Sequence, residues 1–138
     1  MKILVDTNII LDFFLSREPQ KEAAVKLFEQ IYLEKVEAYT TASSITDIYY
    51  ITAKKLGEKQ AREALRNLLN ILGIIAVDGY DCTEALDLPI ADFEDALIVT
   101  CSKKADVEYI ITNDKGFLNA DFQLAHVVIT VDDFLKVL

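Results

Sequence analysis

The sequence predicts an α/β fold in which one parallel sheet carries helices on both faces. Three observations lead there. Short runs rich in Ile and Val alternate with longer segments whose apolar residues recur at helical spacing. Strand, helix, strand at this rhythm calls for crossover connections, which join parallel strands. The strand runs are continuously apolar, not alternating, and 52% of all residues are hydrophobic, as a sheet covered on both sides requires.

Lys2–Val5 (KILV) reads as a buried strand that stops on the polar run Asp6-Thr7-Asn8. Residues 9–16 form a short helix and 20–34 a longer one, with Val25, Leu27, Phe28, Ile31 and Tyr32 at helical spacing. Glu37–Thr41 is the second strand. Ser43 then opens a helix that ends at Gly57, a favourable residue just past a helix terminus. Glu58–Leu72 is the next helix, closed by Gly73, and Ile74–Val77 is a third strand ended by Asp78-Gly79. Residues 80–88 are weakly helical and stop at Pro89; Asp92 begins a helix to Ala105. Tyr109–Thr112 and Val127–Thr130 are the fourth and fifth strands, and Asp132–Leu138 is a terminal helical turn.

The length of 138 residues fits one domain, residues 1–138, with core enough to fold without disulfide or metal staples. The net charge is −9, from 23 acids against 14 bases. A nucleic-acid role therefore needs a local basic patch or a bound cation, because the counterion term otherwise opposes it. Cys82 and Cys101 lie in apolar contexts without a C-x-x-C pair, as thiols of a reducing compartment do. Asp6 and Asp12 interrupt the N-terminal apolar stretch, and no other run is long enough to span a bilayer. The expectation is a cytoplasmic protein that does not engage a membrane.

Gly57, Gly73, Gly79 and Gly116 are too far apart for the G-x-G-x-x-G or P-loop fingerprints. The one histidine, His126, precedes an apolar strand with no G-x-S-x-G elbow anywhere to support a triad, and reads as structural. No His/Cys cluster offers a zinc site. Oxygen remains: carboxylates, Thr, Ser and Asn, the ligands of hard cations such as Mg²⁺ or Mn²⁺.

Each acid has an ordinary reading. Asp6 can cap the 9–16 helix, although Asn8 can do so equally well. Asp47 can be a surface carboxylate favoured by a helix N-terminus, directed toward Lys54 and away from the Ile45/Ile48/Thr52 face. In "ADFEDALI", Asp92 as cap and Asp95 three residues on make a variant capping box, with Glu94 as first-turn charge. Asp114, in "YIITNDKGF", belongs to turn chemistry. Their placement is more informative. Asp6 and Asp114 end strands; Asp47 and Asp95 begin helices that follow strands. All four then fall at the carboxyl edge of the sheet, where such folds bind ligands. Carboxylates gathered there repel, and a divalent cation resolves the conflict. Thr7, Asn8, Thr112 and Asn113 stand ready to hydrogen-bond the ligands.

"ILVDTNIILDF", "TTASSITDIYYI", "DFEDALIVTCSKKADVEYIITND" and a closing "FL" resemble the PIN domain, the family of the bacterial VapC-type toxins. The resemblance covers essentially the whole chain. It implies a three-layer α/β/α sandwich around a mainly parallel sheet, and Mg²⁺- or Mn²⁺-dependent cleavage of RNA. The family's acids fall on Asp6, Asp47, Asp95 and Asp114, its first-motif Asn on Asn8 and the Thr before the last acid on Thr112. The second acid is usually Glu, so Asp47 is one methylene short and Asp92 offers a further carboxylate. The resemblance also implies a homodimer and a small antitoxin laid across the cleft.

Lys55, Lys59, Arg62 and Arg66 form a basic stripe that reads as a solvated helix face, with RNA phosphates as the other reading. Tyr49 and Tyr50 read as core, with base stacking open for Tyr50. Two other functions stay open. A haloacid-dehalogenase-type phosphohydrolase carries D-x-D after strand one, where this chain has Asn8. A non-catalytic PIN-like module would bind RNA or protein through the same surface.

Overall fold

The computed structural model describes residues 1–119 and 127–138. His126 lies outside these. The order is β1 (Lys2–Val5), α1 (Thr7–Phe14), α2 (Lys21–Tyr32), β2 (Glu37–Thr41), α3 (Ala42–Leu56), α4 (Glu58–Ile71), β3 (Leu72–Ile75), α5 (Gly79–Asp87), α6 (Phe93–Ala105), β4 (Tyr109–Ile111), α7 (Lys115–Leu118), β5 (Val127–Ile129) and α8 (Val131–Val137).

The described strands form one sheet in the order β3-β2-β1-β4-β5, and every neighbouring pair is parallel. β1 shows why its run does not alternate. Ile3 and Val5 join a core with α1, α2, α3, α4 and α8, whereas Leu4 joins a second core with α6 and α7. Both faces of the strand are covered, which gives three layers, as expected. The chain builds outward from β1 through β2 to β3, then crosses back to place β4 on the other side of β1. The order reverses between β1 and β4, and the crevice at their carboxyl ends is where this architecture binds ligands.

Several boundaries differ from expectation. α1 starts two residues early, because Asp6 itself caps it: Thr7 N–H donates to Asp6 Oδ1 at 2.8 Å. Asn8 is inside that helix and caps nothing. α3 is capped by Thr41, whose hydroxyl accepts from Ser44 N–H. Gly73 does not close α4; it lies in β3 opposite Tyr39, and the third strand runs two residues earlier than its Ile-Ile-Ala-Val pattern suggests. The Asn-Asp-Lys-Gly stretch begins a short helix, α7. A complete capping box is present at Asp78 and Asp81, which open α5.

Tyr32 and Tyr50 are exposed, and Tyr50 is not core. Tyr49 is half-buried, with the Arg62 guanidinium 5.4 Å from its ring centre, so one member of the basic stripe packs on an aromatic face. Lys55, Lys59 and Arg66 are solvated. Cys82 and Cys101 are free thiols. Among the described residues no helix is long and apolar enough to cross a membrane.

Candidate active site

β1 and β4 end side by side, Val5 opposite Ile111, and the next residues of each strand meet. Asp6 N–H donates to the Ile111 carbonyl at 3.0 Å. The Thr112 hydroxyl, fully buried, donates to Asp6 Oδ2 at 2.7 Å and accepts from Asp114 N–H at 3.1 Å. Asp114 Oδ1 accepts from Gly116 N–H at 3.1 Å. One hydroxyl thus joins the exits of the two strands around the switch in strand order.

α6 brings the second group. Asp92 caps it, its Oδ1 accepting from Asp95 N–H at 3.0 Å. The reciprocal bond expected of a capping box is not made. Among the described residues no donor reaches the Asp95 carboxylate, although Asp95 is buried. Burial is the largest cause that lifts its pKa to about 7, and the charges of Asp92, Asp6, Asp114 and Glu94 add to it. Asp6 is pushed up as well. Burial outweighs the hydrogen bonds from Thr112 and Thr7, and Asp114 and Asp92 repel it further. These mutual effects establish that α6 and the two strand exits share one locus.

Glu94, expected to be mere first-turn charge, belongs to that locus. Its Oε1 accepts from the Thr7 hydroxyl at 3.1 Å, and burial followed by the charges of Asp47, Asp6 and Asp92 raises its pKa. Asp47 is exposed on α3, and its charge reaches the group through Glu94. The acid with the longer side chain is therefore supplied by α6. The signal was present in the run Asp92-Phe-Glu-Asp95, where three acids cannot all be spent on one helix terminus.

Asn8 and Asn113 have other engagements. Asn113 Oδ1 lies 3.4 Å from Val131 N, at the start of α8. Asn8 offers its carbonyl oxygen at 3.1 Å and Oδ1 at 3.4 Å to Arg17 Nη2. Arg17 Nε in turn donates to Oδ1 of the buried Asp12 at 2.8 Å. A hollow of about 390 Å³ beside Asp114 is lined by Asn8, Arg17, Gln20 and Asn113 among others. The sequence reading missed Arg17, since a lone Arg after a helix carries no pattern.

The donor set is hard oxygen and net negative. Among the described residues no three His, Cys, Asp or Glu side chains are drawn in closely enough to hold a cation by themselves. That arrangement fits Mg²⁺ or Mn²⁺, which take one or two carboxylates and complete their shell with water and substrate phosphate. It does not fit a closed all-protein cage.

Comparison with known proteins agrees with this geometry. The model of the PIN domain family matches residues 2–116. Ribonuclease VapC1 of Aquifex aeolicus (strain VF5) is 29% identical over 140 residues, covering 98% of this chain and 94% of the relative. Two solved structures share the fold at 16% identity. VapBC2 of Rickettsia felis, bound to a DNA fragment from its promoter, superposes with a TM-score of 0.69 over 94% of this chain and 98% of its own. VapC20 of Mycobacterium tuberculosis, a toxin that cleaves the sarcin-ricin loop, does so at 0.68 over 88% and 96%. A Klebsiella pneumoniae toxin–antitoxin complex aligns at 0.64 with 21% identity, over 86% and 92%. With its sheet order, its acid locus between β1 and β4 and a family match over most of its length, this chain belongs to the PIN domain family.

Proposed function

We propose that the chain, acting as one PIN domain, is a metal-dependent endoribonuclease and the toxin of a toxin–antitoxin pair. The observation that carries the reading is the convergence of Asp6, Asp95 and Asp114, with Asp92 and Glu94, on one edge of the sheet. The charges acting on Asp95 are all negative, an arrangement that wants a cation. The kinship with Ribonuclease VapC1 and with solved VapC toxins supports RNA as the substrate.

Of Asp6, Asp95 and Asp114, one or two would bind Mg²⁺ or Mn²⁺ directly and the rest, with Glu94 and Asp47, through water. When bound, the ion lowers the pKa of a water and polarises a phosphoryl oxygen. The chain's own residues do the rest. Thr7 N–H and the Thr112 hydroxyl lock both oxygens of Asp6, and the Thr7 hydroxyl orients Glu94. Asp95, which no donor holds, is pushed up to about 7 by burial and its acidic neighbours, so it gives up its proton near neutral pH and is then open to the ion. In the hydrolysis the water oxygen bonds to phosphorus as the bond from phosphorus to a ribose oxygen breaks; the water gives up a proton to solvent and the departing ribose oxygen takes one from it.

An apolar trough on the far side of α2 suits the antitoxin. Two adjoining hollows of about 500 and 380 Å³ share Phe13, Phe28, Tyr32 and Ile71. The solved neighbours from Rickettsia felis and Klebsiella pneumoniae are themselves VapBC or toxin–antitoxin assemblies. A homodimer acting in the cytoplasm completes the proposal.

The test is cleavage of single-stranded RNA in Mn²⁺ against EDTA, with Asp95→Asn as the key variant. Asp95→Asn removes a buried charge that has no donor, so cleavage falls at least about 100-fold while the melting temperature holds or rises. Asp6→Asn is a poorer probe, because both Asp6 oxygens accept hydrogen bonds and an amide nitrogen in either position would face a donor, the Thr7 N–H or the Thr112 hydroxyl. An Asp95→Asn protein with undiminished, metal-dependent cleavage rejects the assignment.

A further inference from the structure

A chain of net charge −9 with an acidic cleft must still attract a polyanion, and Arg62 of the basic stripe is turned onto the Tyr49 ring. We propose that Arg17 is the phosphate anchor for the RNA strand, holding a backbone phosphate beside Asp114. This rests on the ribonuclease reading and names where the substrate runs.

The guanidinium is fixed on one side only. Nε donates to Asp12 Oδ1 and Nη2 to the carbonyl and side chain of Asn8, while Nη1 has no partner among the described residues. Asp12 is 6% exposed and held in α1, so the ionic bond orients the guanidinium plane without covering it. The Arg17 side chain is 38% exposed and borders the hollow that contains Asp114. Two N–H donors in a rigid fork, at the mouth of a site that cleaves phosphodiesters, match a phosphate better than a lysine ammonium does.

The hollow continues. It shares Gln20 and Asn113 with a second one of about 540 Å³, whose far wall includes Lys26. Together they form a trough leading from the acids past Arg17 to Lys26, which is paired with Glu22 at 3.1 Å. A strand laid in it would be held by Arg17, with the acids at the scissile bond.

The experiment measures binding of a labelled single-stranded RNA to the uncleaving Asp95→Asn protein across a salt series. Arg17→Met weakens binding at least about tenfold, since a charge-assisted bond to phosphate is lost. It also lowers the slope of log affinity against log salt by about 0.7, the value of one phosphate contact on a single strand. Arg17→Lys keeps the slope and recovers part of the affinity. Arg17→Met strands the buried Asp12 carboxylate, so the double variant Asp12→Asn/Arg17→Met, which removes both charges, is measured beside it and gives the same slope change. In the cleaving protein, the double variant raises KM by a similar factor with kcat within about twofold, a split that a merely structural role does not produce. Unchanged affinity and slope in both variants, or no RNA binding by the parent protein, overturns the proposal. The two readings separate: Arg17-dependent binding without cleavage in any metal sinks the nuclease, whereas Arg17-independent cleavage sinks the anchor alone.

Discussion

Thr112 carries two hydrogen bonds through a single buried hydroxyl, donating to Asp6 and accepting from Asp114 N–H. Thr112→Val keeps the shape and loses both, leaving a buried carboxylate and a backbone N–H short of a partner. The expected cost is about 1–3 kcal/mol, measured by denaturant unfolding. Because the Thr112 bond is the largest influence lowering the Asp6 pKa, its loss pushes that pKa further up. The acidic limb of the cleavage profile then moves to higher pH, and Thr112→Ser restores it. Thr112 was legible in the sequence as a residue at the end of β4, and its bond to a residue 106 positions away was not. For the acids, the opposition between cap and site acid dissolves. Asp6, Asp92 and Asp114 each accept through Oδ1 from a backbone N–H at a helix start, and the same bonds hold those carboxylates at the cleft. A cap is visible in sequence; what its second oxygen meets depends on the neighbouring strand.

The elements divide by how their burial patterns write themselves into sequence. β1 and β2 match expectation: the apolar run of β1 is bounded by Lys2 and Asp6, and the aromatic and β-branched residues of β2 stop at the Ser-Ser start of α3. β3 does not, because α4 runs straight into it through Ile71-Leu72 with no punctuation, and Gly73 suggests a stop that is not there. The reason for Gly73 is across the sheet. A Cβ at this position would come within 2.6 Å of Tyr39 Cδ1 and Cε1, so the Tyr39 ring lies over the glycine. Gly73→Ala forces that ring aside, and we expect a loss of about 1–3 kcal/mol in unfolding free energy. Gly73→Ala in a Tyr39→Ala background, where the ring is absent, should be much less harmful. α6 has the opposite problem. Residues Asp95 through Ser102 are all buried between the sheet and α5, so no apolar stripe marks its face. Its start was readable from the Asp92 cap and its catalytic edge only from the fold.

At the scale of the molecule, the gathered acids make folding, protons and metal compete. Asp95 keeps its proton to about pH 7 in the folded chain, against an ordinary value of 3.8. Between those values the folded chain binds more protons than the unfolded one, so metal-free stability falls as pH rises through the window and levels off above 7. Asp6, Glu94 and Asp12 are raised too and act in the same direction. Asp81 is lowered, chiefly by its hydrogen bond from Lys104, so its contribution is lost only below the ordinary carboxylate range and does not oppose the trend. The metal-free protein should therefore melt lower at pH 8 than at pH 6, and Asp95→Asn should flatten much of that difference. Divalent metal reverses the slope, because it binds the carboxylates only after their protons leave. Millimolar Mn²⁺ should raise the melting temperature by roughly 5–10 °C at pH 8, as a ligand near a hundredfold above its dissociation constant does, and by clearly less at pH 6. In Asp95→Asn the rise at pH 8 should shrink to a small fraction. A rise of the same size at both pH values would mean that the cation sits elsewhere, on carboxylates whose protons have already gone.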